Sequence, residues 1–186
     1  MTPGPSDETR MNSDGYPWYA VVQGEDLAQG DLFDRCPVFL PPVDMDESAQ
    51  EASFSWEERD VIVITQTCDL VPGREKVTEV LLCATWRRSD LKSGHLSSDR
   101  GLEDARRGNL PGYHLLAACD LTDNMRELRV VDFRRVYSLP LTFVRKRAAR
   151  TGNRLRLLPP YREHLSQAFA RYFMRVGLPQ DIPPFR

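Results

Sequence analysis

The run Asp60–Thr65, Asp-Val-Ile-Val-Ile-Thr, constrains the fold of this chain more than any other stretch. Its β-branched residues lose rotamer freedom in a helix and pack well on a pleated surface. They show no helical period, and the length suits a central strand buried on both faces. Val71-Pro72-Gly73-Arg74 is a turn signal, and Val77–Ala84 (VTEVLLCA) is a second apolar strand. So short a connection predicts that the two strands pair antiparallel.

Further strands are predicted on either side of this pair. One starts at Asp31–Phe33 and continues weakly to Leu40, with Pro37 and Pro41-Pro42 limiting its ladder. Tyr113–Cys119 reads as a third central strand. Leu128–Asp132 and Arg134–Leu139 form a fourth, bent at Asp132-Phe133. Residues 43–58 are acidic and read as a long loop or short helix, and residues 87–112 as a long polar insertion with a helical turn near Leu102–Arg107. Leu141–Arg150 is a short basic helix stopped by Thr151-Gly152-Asn153. The last helix, 160–176, opens on Pro160 and stops before Gly177 and Pro179. Leu165, Ala168, Phe169, Tyr172, Phe173 and Val176 give it one continuous apolar stripe. Residues 1–15 read as a mobile polar tail, and 16–186 as a single domain.

With 186 residues, 41% hydrophobic and 28% charged, the chain has the composition of one globular domain. No apolar run approaches the roughly 20 residues that span a bilayer, so no membrane span is expected. The polar N-terminus has no hydrophobic signal core, which points to the cytoplasm. Four cysteines without a Cys-x-x-Cys pair fit a reduced protein. Charge is uneven: residues 1–60 hold 14 Asp/Glu against 3 Lys/Arg, while residues 126–186 hold 14 Lys/Arg against 4 Asp/Glu. This polarity fits a basic face for an anionic partner, an acidic arm that masks it, or two solvated surfaces.

Folding needs least explain Thr65-Gln66-Thr67-Cys68-Asp69-Leu70, where the central strand leaves the sheet. Several chemistries are open to it. Cys68 is a nucleophile if His114 or His95 serves as base, with Thr65 or Gln66 as oxyanion donor. Cys68, Asp69, Cys83, His95 and His114 are ligand-type residues, but their spacing matches no zinc signature, so neither metal nor cofactor is expected. Gln66 and Asp69 suit a polar ligand or a nucleobase. As folding devices, Asp69 caps the turn and Cys68 fills a core gap. A second candidate is basic: Arg134, Arg135, Arg145, Lys146, Arg147 and Arg150, interleaved with Tyr137 and Phe143, suit phosphates and stacked bases.

Several short matches occur in order along residues 28–149. They are Gly30-Asp31-Leu32, Arg59-Asp60-Val61-Ile62-Val63-Ile64, Val80–Thr85, Gly112-Tyr113-His114-Leu115 and Leu128–Ser138. Together they resemble the PemK/MazF-like toxin family, although Asp60 stands where that family usually has proline. The resemblance implies an SH3-like β-barrel, here with a long polar insertion and a C-terminal amphipathic helix. It further implies a homodimeric, metal-independent endoribonuclease acting on RNA, with an antitoxin-type protein partner. The catalytic pair it implies is Arg59 and Thr85. That chemistry is sensible, since a guanidinium offers a phosphate a bidentate fork and a threonine adds a hydroxyl. The alternative is a non-catalytic module that binds a protein or small ligand through the Thr65–Leu70 segment and the acidic loop.

Overall fold

The computed structural model describes residues 17–44, 51, 53–119, 121 and 127–174. Among these, seven strands and three α-helices follow one another along the chain. They are β1 (Tyr19–Val22), β2 (Leu32–Leu40), β3 (Ser55–Val63), β4 (Glu79–Arg87), α1 (Asp99–Arg106), β5 (Tyr113–Leu116), β6 (Arg129–Pro140), α2 (Leu141–Thr151), β7 (Arg154–Leu157) and α3 (Tyr161–Phe173). The fold is mixed α and β, with strands dominant. No helix among the described residues is long and apolar enough to cross a membrane.

The main sheet is antiparallel, in the order β2-β3-β4-β6-β5. As the turn signal predicts, β3 and β4 are antiparallel neighbours, with Val61 opposite Ala84 and Val63 opposite Leu82. The Tyr113–Cys119 run is a correction: it supplies the short edge strand β5 and not a central one, because only β6 pairs with it. Residues 55–58 are a second correction. They open β3 and pair with β2 up to Leu40, where the acidic composition reads as loop. The tail at 1–15, most of the acidic stretch (45–50 and 52) and the end of the last helix (175–176) lie outside the described residues.

Two irregularities coil the sheet. β2 slips between Phe33 and Cys36, where Arg35 adopts a left-handed φ of 49°. In β6 the register jumps from Asp132, opposite Ala84, to Val136, opposite Cys83. Such bulges increase local twist and re-aim side chains.

Alternation along the strands sorts the apolar residues into two layers. Leu32, Ile62, Cys83, Val131 and Phe133 line one face, covered by Tyr19, Leu155 and Leu157 of the β1–β7 ribbon and by Tyr161 and Leu165 of α3. Phe33, Cys36, Val38, Val61, Val63 and Leu82 line the other, covered at one end by Leu141, Val144 and Ala148 of α2. At the opposite end Leu96, Ala105 and Leu102 of the insertion pack on Val130 and Leu115. Each fully buried aliphatic side chain contributes on the order of 1.5–3 kcal/mol.

The ribbon is joined to β2 by charge. Asp31 and Arg154 are both fully buried. Asp31 accepts from Arg154 Nε at 3.1 Å and from Arg156 Nη2 at 2.9 Å, while Arg154 Nη1 donates to the Gly24 carbonyl at 2.7 Å. Here glycine is required: Gly30 has φ +88°, and a Cβ would lie 2.7 Å from Leu157 Cβ.

Candidate functional site

Between α2 and the insertion, the second face of the sheet is left uncovered. There Arg59 of β3 and Arg135 of β6 hold their guanidinium carbons 5.6 and 5.5 Å from the ring centre of Trp86 on β4. Such distances are those of cation–π contacts. Arg59 is clamped by Glu57, Nε to Oε1 and Nη2 to Oε2, both at 2.6 Å. That hydrogen bond, with smaller contributions from Tyr137, raises the Arg59 pKa against the opposing effect of burial. Farther along, Arg134 stands 4.4 Å over the Tyr113 ring and is bound bidentately by buried Asp132 at 2.8 and 2.9 Å. Arg135 is exposed, and among the described residues no carboxylate pairs with it. A row of cations and ring faces therefore crosses four adjacent strands, β3, β4, β6 and β5.

The sequence points to Arg134, Arg135 and Tyr137 on this row. It does not point to Trp86, whose signal is an aromatic residue opening the basic run Trp86-Arg87-Arg88 at a strand end. Phe143 is elsewhere, edge-on to Phe39 at 6.1 Å.

The structure does not bring Arg59 and Thr85 together. Thr85 is 4% exposed and its hydroxyl faces Arg129 Nη1 at 3.4 Å. Asp60 binds the same nitrogen at 2.9 Å, so Asp60 and Thr85 share a face. Arg59, next to Asp60 on the strand, and Trp86, next to Thr85, project from the opposite face. The Thr85 side belongs to a buried ion cluster in which Arg129 also reaches Asp34 at 2.8 Å and Arg87 reaches Asp60 at 2.9 Å. Burial alone would raise the Asp60 carboxyl. The Arg35 amide, Arg129 and Arg87 outweigh it and hold the pKa below the usual carboxylate value.

The Thr65–Leu70 segment continues from β3 into a 3₁₀ turn over Thr67–Asp69. Most of its polar atoms serve the fold. Thr65 Oγ1 accepts from the Leu81 amide at 2.7 Å, and Thr67 Oγ1 from the Gln29 amide at 3.1 Å. Asp69 pairs with Lys76 at 3.3 Å, and Gln66 donates to Ser166 of α3 at 3.3 Å. Cys68 is exposed, with Asp69 Oδ1 3.5 Å from its sulfur. No histidine is brought to it: His95 pairs with Asp104 at 2.8 Å, and His114 lies beside Phe133. Gln66, Thr67 and Cys68 line a shallow cleft of about 330 Å³ against Arg162 and Gln167 of α3. The other cysteines are buried, and desolvation pushes the Cys36 and Cys83 thiols up to about 11 and about 12.

Neither a protein-family model nor a curated protein matches this chain in sequence.

Proposed function

We propose that the chain is a divergent PemK/MazF-like barrel protein that binds single-stranded nucleic acid, RNA foremost, across the Arg59–Trp86–Arg135 row. The observation that carries this reading is one tryptophan face shared by two guanidinium groups, with Arg135 free of any carboxylate among the described residues. Phosphates take the guanidinium donors, and unpaired bases stack on Trp86 and Tyr113, which a duplex does not permit. Support for the barrel comes from the antiparallel strand order, the two coiling bulges and the ribbon that bridges to Asp31 at the β2 edge. The reading is one of binding, because the threonine a cleavage pair would need lies on the other side of the sheet.

Fluorescence anisotropy with a labelled single-stranded RNA tests it. Trp86→Ala should weaken binding by about 1–3 kcal/mol, the weight of one base–aromatic stack. Arg135→Ala should lower the slope of log affinity against log salt by about 0.7, one phosphate contact on a single strand. Unchanged affinity in both variants sinks the proposal.

A further inference from the structure

At the free edge of β5, the C-terminal end of α1 and the outer side of α3 enclose a separate cleft of about 290 Å³. That volume is near the small end of ligand sites. Arg106 enters it from α1 and Arg107 from the cap that ends that helix, with Arg171, Gln167 and His164 from α3; His114 lies in its wall from β5. Glu103 binds both of these arginines, Arg106 at 2.6 and 2.7 Å and Arg107 at 2.6 Å. One carboxylate thus answers two guanidinium groups, and Arg171 brings a third that has no ion pair among the described residues. The lining carries a surplus of positive charge.

His114 adds a second, independent observation. Its ring lies 6.3 Å from that of Phe133 with 21° between the planes, which fixes its orientation against the core. Among the described residues, neither ring nitrogen has a hydrogen-bond partner. Burial, with a smaller effect of His164, lowers its pKa to about 4, so near neutrality the imidazole offers one N–H donor and one acceptor. A half-buried imidazole whose ring nitrogens have no protein partner among the described residues, beside unbalanced guanidinium groups, is an arrangement that an anionic ligand completes.

We infer that this cleft binds a tetrahedral phosphate dianion, as free phosphate or as a phosphomonoester, held by Arg171 and Arg107 with His114 as a neutral hydrogen-bonding wall. Arg107 reaches the anion by sharing Glu103 with Arg106, and the Gln167 amide stands ready for a remaining oxygen. The cleft shares Tyr113 with the far end of the Trp86 row but has its own cations, and phosphate binding in it does not require nucleic acid on Trp86.

Imidazole resonances of His114 and His164 in the full chain, followed by long-range ¹H–¹⁵N correlation near pH 7, report occupancy directly. With inorganic phosphate as probe, the His114 signals should shift and saturate, while chloride at equal ionic strength leaves them in place. A nucleoside 5′-monophosphate binding more tightly than phosphate identifies a phosphomonoester as ligand; tighter binding of phosphate identifies the free ion. Arg171→Ala should weaken the phosphate isotherm at least about tenfold, the weight of one charge-assisted hydrogen bond. Arg74→Ala, in the exposed turn between β3 and β4, should leave it unchanged. Phosphate shifts that merely follow ionic strength, or an Arg171→Ala isotherm equal to the parent's, overturn the inference.

Discussion

At the seam where β7 meets β2, Arg154 is fully buried and its donors end on Asp31 or on backbone carbonyls, whereas Arg135 stands exposed on the open face with an aromatic ring beneath it. The same side chain does opposite work in the two places. A guanidinium cannot shed its proton, so burial requires a carboxylate and a nearly full set of acceptors. On the open face water solvates the cation, and the ring only orients it, leaving the donors for something else. Arg59 lies between these extremes, stacked on the same ring but clamped by Glu57.

The largest expected effect comes from breaking the seam. Asp31→Ala leaves Arg154 buried without its carboxylate, and urea unfolding should show a loss of about 3–5 kcal/mol. A loss below about 1 kcal/mol would mean that the ribbon is held by apolar packing and not by charge. His114 sharpens the comparison, because unlike arginine it can escape burial by losing its proton. Unfolded, it takes a proton near pH 6.5; folded, it resists until about pH 4. Its share of stability is therefore present above pH 6.5 and is lost as pH falls toward 4, by about 3 kcal/mol. Between pH 6.5 and 4 the stability of the parent should fall by that amount relative to His114→Gln, and parallel curves would refute it. Smallest is Glu57→Gln, which releases Arg59 from a surface clamp worth about 0.2–1 kcal/mol. RNA affinity should rise up to about fivefold by anisotropy. A fall would show that Glu57 positions Arg59 for the ligand instead of competing with it.

Much of the central sheet is legible because its signal is local. Val61, Ile62 and Val63 are wholly buried in β3, and the turn at Val71–Arg74 leads to its neighbour β4. The ribbon is not legible, for two physical reasons. β1 and β7 are four residues each, and Tyr19 pairs with Leu157 across most of the chain. Arg154 and Arg156 also make β7 look solvent-facing until Asp31 is seen between them. The extension of β3 back to Ser55 is hidden similarly, since Glu57 and Glu58 read as loop charges but are paired with Arg59 and Arg35. At the site, Arg134 and Arg135 can be singled out from composition. Trp86 cannot, because what makes it matter is the approach of two arginines from other strands. The separation of Arg59 from Thr85 follows from strand parity, which requires the register between β3, β4 and β6.

That register also makes β6 behave like a text with a frameshift in it. Up to Asp132, odd-numbered residues such as Val131 oppose Thr85 and face the ribbon; beyond the bulge Val136 opposes Cys83, and the odd-numbered Arg135 and Tyr137 take the open side. The three extra residues reset odd and even. Deleting Arg134 alone would leave two extra residues and one unbroken alternation, with Val131 and Phe133 still facing the ribbon and Tyr137 and Leu139 still on the open side. One local insertion thus lets two odd-numbered neighbours part company, Phe133 into the ribbon-side core and Arg135 onto the Trp86 ring of the open face.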